Sequence, residues 1–104
     1  MYEVEFYKDE KEICPVADFL GGLPTKTRAK VAKWIDLLEK EGPNLPRPYA
    51  DIVKGKIREL RVVFGSNHYR FLYFFFGKRI IITHGFLKKP RRSQKRKLRG
   101  QNGI

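Results

Sequence analysis

The sequence predicts an α+β fold: a small, mainly antiparallel sheet of four strands, with two helices packed on one face, in the order β-α-α-β-β-β. Three apolar runs between residues 57 and 84, separated by turn formers, predict three consecutive strands. Two stretches in the first half repeat apolar residues every three or four positions, which is typical of amphipathic helices. Residues 2–7 alternate glutamate with apolar or aromatic residues, so they predict a first strand with one wet face.

Both helices are predicted in the first half of the chain. Pro15 suits the first position of a short helix, where its missing N–H is not needed, and a pair of glycines follows at 21 and 22 to end it. A longer helix is predicted from Thr25 to Glu41, because apolar residues recur there at spacings of three and four: Val31, Trp34, Ile35 and Leu38. Three prolines between residues 42 and 49 disfavour helix and central strand, so this segment predicts an extended loop.

The three C-terminal strands form the centre of the predicted sheet. Residues 57–64 alternate, which places Glu59 and Arg61 on one face of the first strand. Residues 65–68 are turn formers and predict a four-residue loop into an antiparallel strand, residues 69–76. That second strand is apolar on both faces, which is typical of a central strand covered on each side. Residues 80–84 are rich in β-branched side chains and predict the third strand.

Cationic residues converge at one end of this predicted sheet. Arg70 begins the middle strand, and Lys88 and Lys89 lie just beyond the end of the last one. Antiparallel neighbours joined by a short turn bring those two places together, and Arg61 lies on the adjacent strand. We therefore expect three or four cations to meet at one site.

The net positive charge comes from the second half of the chain. The formal net charge is +12, but residues 1–53 carry 8 Lys or Arg against 10 Asp or Glu. Residues 54–87 carry 7 against 1, and residues 88–104 carry 8 against none. A polyanion is the expected partner of such a surface, and nucleic acid is the commonest one. The alternative is that the tail is a solvated basic arm with no dedicated role.

The chain of 104 residues predicts one domain, residues 1–89, followed by a basic tail, residues 90–104, that is partly disordered. Cys14 is the single cysteine, so an internal disulfide is excluded and a reducing compartment is favoured. No run of 18 apolar residues occurs, and the N-terminus is charged from its third residue. These features predict a cytoplasmic protein that does not enter a membrane.

The motifs of metalloproteases, paired-cysteine metal sites, dinucleotide-binding loops and phosphate-binding loops do not occur, so neither a metal nor a cofactor is predicted. A cationic cluster can promote one kind of reaction without either. In RNA cleavage the 2′-hydroxyl attacks the adjacent phosphorus, and preplaced Arg and Lys donors stabilise the charge that builds on the phosphoryl oxygens. The planar fork of Arg suits this task because it can bond two phosphate oxygens at once.

Three residue types could move the proton. Glu59 shares the face of Arg61 and could take the 2′ proton, and His84 near the end of the third strand could act as acid or base. Each also has a structural reading, in which Glu59 neutralises Arg61 and His84 is an ordinary residue of the sheet. A lysine among other cations is a third candidate, because like charges favour its neutral form. Spacing alone leaves these alternatives open.

Seven segments between residues 2 and 89 occur in a characteristic order: YEVEFY, PVADFL, LPTKTRAKV, LLEKEGPNL, VKGKIRELRVVFG, NHYRFLYFFF and ITHGFLKK. Together they resemble the RelE/ParE superfamily of bacterial toxins and, within it, the phage-derived HigB-like branch. The resemblance implies a RelE-like fold and a type II toxin, a ribosome-dependent endoribonuclease that cuts mRNA. It also implies a HigA-like helix-turn-helix antitoxin as the inhibiting partner, through which alone operator DNA would be contacted.

The resemblance assigns roles to particular residues. The arginine of the ELR motif is Arg61, that of the YR(F/V)LY motif is Arg70, and the basic pair after the last strand is Lys88 and Lys89. These four are implied to form the catalytic cluster, with Glu59 and His84 as candidates for proton transfer. Further RNA contacts are predicted near the start of the central strands and in the tail: Lys54, Lys56, Arg58, Arg91 and Arg92.

The leading hypothesis is therefore an mRNA-cleaving toxin that needs the 70S ribosome. A second hypothesis is a non-catalytic RNA- or DNA-binding module that uses the same basic surface. A third is a toxin directed at DNA gyrase, because ParE-like members share the fold, and fold does not fix function.

Overall fold

The sheet has five strands, in the spatial order β1-β5-β4-β3-β2, where four were predicted. The computed structural model describes residues 2–88. Along the chain the elements are β1 (Glu3–Phe6), α1 (Pro15–Gly21), α2 (Thr25–Glu41), β2 (Ala50–Lys54), β3 (Ile57–Phe64), β4 (Asn67–Phe76) and β5 (Arg79–Lys88). Both helices begin and end where the sequence places them, to within one residue.

The sheet is mixed and not purely antiparallel. β1 pairs in parallel with β5, with Glu3 opposite Arg79 and Phe6 opposite Ile82. The three other pairs, β5–β4, β4–β3 and β3–β2, are antiparallel. This arrangement follows from connectivity. Short turns join each of the strands β2, β3, β4 and β5 to the next, which makes these neighbours antiparallel. Both helices lie between β1 and β2 in the chain, so β1 can pair in parallel with β5.

The additional strand is β2, which lies at the edge next to β3. Ala50 is opposite Leu60 and is the one buried residue of the strand, whereas Ile52 and Val53 are exposed. A short strand that directly follows three prolines and buries a single alanine lacks the alternation that identifies strands in sequences. The predicted loop therefore ends at Tyr49, and it begins with a 3-10 turn at Gly42–Asn44.

The two central strands are longer than predicted. The turn between β3 and β4 consists of Gly65 and Ser66, so His68 is a strand residue and not part of a four-residue loop. β5 continues to Lys88, which corrects the prediction that this lysine lies beyond the end of the strand. The longer hairpin carries both residues onto the sheet, where the site forms.

One face of the sheet is covered by the two helices. Fully buried side chains come from the sheet and from both helices, among them Leu60, Phe71, Ile82, Val16 and Leu38. Within residues 2–88 no element packs on the opposite face, which we call the open face. β4 is central, as its apolar pattern predicts, but the described part of the chain covers it on one side only.

In the described residues there is no helix of the length and apolar character that a membrane crossing requires. The predicted basic tail, residues 90–104, lies outside the described residues.

Candidate functional site

Three rows of side chains cross the open face, and strand pairing fixes their order. The first row is Asp51, Glu59, Leu72 and His84; the second is Arg61, Arg70 and Phe86; the third is Val63, His68 and Lys88. Within a row, neighbours on adjacent strands lie about 5 Å apart, and diagonal positions about 7–8 Å apart. Arg70 is in the middle of this grid, so every other candidate on the central strands lies beside it or diagonal to it.

Arg70 is a nearly buried cation whose hydrogen-bonding capacity is only partly used. Its side chain is 11% exposed, and its Nε lies 3.6 Å from Glu59 Oε1. Its Nη1 donates to the carbonyl oxygen of Tyr69 at 3.5 Å. The buried Nε has no hydrogen-bond partner within residues 2–88. The ion pair with Glu59 and one long hydrogen bond hold this guanidinium, and an anion that approaches its Nη groups would add charge-assisted hydrogen bonds.

The surroundings of Arg70 act on its charge in opposite directions. Burial lowers the pKa of Arg70, the carboxylate of Glu59 raises it, and the positive charge of Arg61 lowers it. Arg61 is directly opposite Arg70 in the β3–β4 pair. Two like charges in such positions are unfavourable unless a counter-ion lies between them. Glu59, diagonal to Arg70, supplies that counter-ion.

Arg61 is held between two carboxylates. Its Nε donates to Glu59 Oε2 at 2.8 Å, and its Nη2 lies 3.4 Å from Asp51 Oδ2. Arg47 reaches the same Asp51 oxygen, with Nε at 3.2 Å. A chain of alternating charges therefore runs across three strands in the order Arg47, Asp51, Arg61, Glu59 and Arg70. It contains three cations and two anions, so it keeps an excess of positive charge.

A one-residue bulge in β5 brings His84 to this surface. Leu72 is opposite His84 and Tyr73 is opposite Ile82, which leaves Thr83 as an extra residue between the two pairs. Strict alternation from the buried Ile82 would turn His84 toward the helices, and the bulge reverses that direction. His84 is exposed and occupies a position diagonal to Arg70.

Two further groups flank Arg70 on the side of β5. Phe86 is directly opposite Arg70 and is 41% exposed, so part of its ring is accessible from the open face. Lys88 is opposite His68 in the third row, and both are exposed. The candidate site thus combines arginines, a lysine, two imidazoles and an aromatic ring.

Other predicted residues lie elsewhere. Arg58 is on the helix-covered face, opposite the buried Tyr73, with its guanidinium 5.3 Å from the centre of the Phe75 ring. Lys54 and Lys56 are exposed at the turn between β2 and β3, away from the three rows. Three predicted residues lie outside the described residues: Lys89, Arg91 and Arg92.

Four residues of this surface are absent from the sequence-based prediction. Asp51 and Arg47 were missed because the segment before β3 reads as a loop, although the acid at 51 is the only one in residues 42–58. His68 was assigned to a turn, and counting by two from Arg70 would have placed it on the same face. No feature of the sequence predicted that Phe86 belongs to the site, because the bulge determines which face of the sheet its side chain is on.

The arrangement suits the binding of a phosphodiester. The guanidinium groups of Arg70, which is nearly buried, and Arg61, which is partly buried, can hold phosphoryl oxygens. The carboxylate of Glu59 and the imidazole of His84 lie on adjacent strands, diagonal to Arg70. In the described part of the chain, no three His, Cys, Asp or Glu side chains are grouped closely enough to hold a metal ion.

Comparison with known proteins places the chain in a family. Residues 18–100 match the family model described as "Phage derived protein Gp49-like (DUF891)", which is most of the chain. Among solved structures the chain is similar to the archaeal RelE-RelB complex from Pyrococcus horikoshii OT3, at 21% identity and a TM-score of 0.49, over 86% of this chain and 94% of that chain. No curated protein sequence gives a significant match. The chain therefore belongs to the phage-derived Gp49-like family.

Proposed function

We propose that this protein is the toxin of a type II toxin–antitoxin system and acts as a ribosome-dependent endoribonuclease that cleaves mRNA without a metal. Two kinds of observation support the proposal: membership of the Gp49-like family and the cationic site on the open face. The single observation that carries it is Arg70, a nearly buried guanidinium that lies directly opposite Arg61 on the open face.

The proposed reaction is attack of an RNA 2′-hydroxyl on the adjacent phosphorus, with loss of the 5′-oxygen of the next nucleotide. Negative charge builds on the phosphoryl oxygens in the transition state. Arg70 supplies N–H donors of its guanidinium to those oxygens, and the directly opposite Arg61 adds a second guanidinium. Because Arg70 is nearly buried, its interaction with the developing charge is weakly screened by water.

Glu59 and His84 are the proposed groups for proton transfer. Glu59 lies between the two arginines, within hydrogen-bond distance of Arg61, and His84 is diagonal to Arg70 on the other side. A phosphate that takes over the donors of Arg61 and Arg70 would release Glu59 from its ion pairs, so the carboxylate could accept the 2′ proton. His84, which is exposed, could then protonate the leaving 5′-oxygen.

The proposed partners follow from this role. The 70S ribosome would present and orient the mRNA, which a small site without a strongly activated base needs. A HigA-like helix-turn-helix antitoxin would hold the protein inactive and would make the contacts with operator DNA. The basic residues Lys54, Lys56, Lys88 and Lys89 would contact ribosomal RNA or mRNA backbone. The protein would act in the cytoplasm and would not bind a membrane.

The test is primer extension on a defined mRNA incubated with the protein, with and without 70S ribosomes. We expect cuts only when ribosomes are present. Arg70→Ala should lower the cleavage rate about a hundredfold or more, and Arg70→Lys should restore little of it, since lysine lacks the planar fork. The matched control is Arg79→Ala, which removes an exposed arginine that is paired with Glu5 at the far end of the sheet. This variant should cleave like wild type.

Other outcomes would select the remaining hypotheses. Wild-type protein that binds RNA but never cuts it, with or without ribosomes, would make the chain a nucleic-acid-binding module. Inhibition of gyrase supercoiling without RNA cleavage would make it a ParE-like toxin. Cleavage by Arg70→Ala at the wild-type rate would remove Arg70 from the mechanism.

A further inference from the structure

Asp51 has two features that an ordinary surface acid lacks. Its Oδ1 accepts a hydrogen bond from the backbone N–H of Ile52 at 2.8 Å, which fixes the direction of the carboxylate. Its Oδ2 then faces two guanidinium groups, Arg47 at 3.2 Å and Arg61 at 3.4 Å. The side chain is 23% exposed, so this anchoring takes place partly out of water.

Arg61 depends on this anchor because of where it lies. Glu59 holds Arg61 through Nε, but Glu59 is also shared with Arg70, with one oxygen near each arginine. A phosphate bound at Arg70 competes with Glu59 for both guanidinium groups. Asp51 is then the remaining carboxylate that can keep Arg61 in place, because its own orientation is set by the backbone and not by the site.

The open face also has an ion pair outside this chain of charges, and that pair lacks these features. Arg79 and Glu5 are joined at 2.8 Å, but both side chains are 46% exposed. Exposed pairs of this kind contribute little, because water screens them. The contrast indicates that the pair between Asp51 and Arg61 has a role beyond surface charge balance.

We propose that Asp51 is a positioning residue of the site: it holds the guanidinium of Arg61 beside Arg70, so that the phosphoryl group meets both cations when Glu59 leaves. This inference rests on the proposed nuclease function and adds to it a residue on β2. Asp51 does not touch the reacting atoms. It acts through Arg61, so its effect must disappear when Arg61 is absent.

The test is a double-mutant cycle with Asp51→Asn and Arg61→Gln. Asparagine keeps the oxygen that accepts from Ile52 and replaces the other oxygen by an amide group, which cannot accept from a guanidinium. With ribosomes, Asp51→Asn should lower kcat about ten- to a hundredfold with little change in KM, because the loss is one of orientation. In the Arg61→Gln background it should have no further effect. Glu5→Gln is the matched control, since it changes the net charge by the same amount, and it should cleave like wild type.

A second measurement does not depend on cleavage. The Nη2–H signals of Arg61, whose nitrogen lies 3.4 Å from Asp51 Oδ2, should exchange with water faster in a ¹⁵N NMR spectrum of Asp51→Asn than in wild type, whereas Glu5→Gln should leave them unchanged. If wild type never cuts RNA but the signals respond as expected, the nuclease function is wrong and the anchoring of Arg61 is supported. Unchanged exchange, wild-type kcat in Asp51→Asn, or an effect that adds fully to that of Arg61→Gln would each overturn the proposal.

Discussion

Arg70 and Arg61 are directly opposite each other on adjacent strands, where two cations repel. The repulsion is offset diagonally, because Glu59 and Asp51 form the next row and are themselves opposite each other. Both like-charged pairs are thus stabilised by the alternation of the whole chain of charges and not by any single ion pair. Under the proposed function, an incoming phosphate would bond both arginines and so would replace the carboxylate of Glu59 that they share.

Phe86 is the aromatic residue of this site, and its role can be tested by comparison with Phe76. Both lie on the open face, Phe86 opposite Arg70 and Phe76 opposite Arg79. Phe86 is 41% exposed and Phe76 is 62% exposed. If a base of the bound RNA stacks on Phe86, its replacement by leucine removes that contact, which contributes about 1–3 kcal/mol per base. We expect Phe86→Leu to weaken RNA binding about fivefold or more.

Phe76 provides the control for this prediction, because it lies on the same face of the sheet. Phe76→Leu makes the same chemical change at the opposite end of the open face, far from Arg70, and should leave RNA affinity unchanged. Phe86→Tyr keeps the ring and should bind like wild type. Affinity measured by fluorescence anisotropy with a short single-stranded RNA decides the matter, and equal losses in Phe86→Leu and Phe76→Leu would contradict stacking at Phe86.

At the scale of elements, the bulge of β5 shapes both faces of the sheet at once. The extra Thr83 turns His84 to the open face and places Gly85 opposite Phe71, on the helix-covered face. A Cβ atom on Gly85 would lie 2.6 Å from the Phe71 ring and 2.9 Å from the Phe19 ring. The position therefore needs glycine, because two aromatic rings fill the space that a side chain would occupy.

Gly85→Ala should destabilise the fold. Phe71 is fully buried and cannot move aside freely, so the added methyl group should cost about 1–3 kcal/mol of the free energy of unfolding. Gly21→Ala is the control: nothing lies within 4 Å of the added Cβ, and the residue is in the last turn of α1. That variant should be neutral or more stable by about 0.5 kcal/mol. Urea unfolding monitored by circular dichroism compares the two, and equal stability of both variants would show that the Phe71 contact is not tight.

The same bulge marks the limit of what the sequence could predict. Period-two counting identified the strands and placed Glu59 and Arg61 on one face, because that rule needs only local alternation. It cannot locate an extra residue such as Thr83, whose existence depends on the partner strand, and so the directions of His84 and Phe86 were not predictable. β2 was missed for a related reason: Asp51 is in a strand because β3 offers an edge, while its own segment carries no periodic signal.

At the scale of the whole molecule, the two halves of the chain differ in net charge, and the fold places them in different parts of the structure. Residues 1–53, which are close to neutral, supply both helices and the two edge strands, whereas the strongly basic residues 54–87 supply nearly all of the three inner strands and the turns between them. β5 ends at Lys88, so the basic residues that follow it in sequence are joined to the sheet next to the third row of the site. Residues 88–104 carry eight Lys or Arg and no acid, so we expect this part of the sequence to add to the attraction of a polyanion.

Deleting residues 91–104 should therefore weaken RNA or ribosome binding in a strongly salt-dependent way. The deletion removes six Lys or Arg. If each of them neutralises a phosphate of single-stranded RNA, the slope of log K against log salt should become less negative by about 4. The control is deletion of residues 100–104, which contain no Lys or Arg and should leave the slope unchanged. Binding titrations between about 50 and 200 mM salt measure this slope.

A loss of affinity that is the same at every salt concentration would show that the tail acts by a specific contact. Cleavage measured on the same truncated protein would then show whether that contact belongs to the catalytic site.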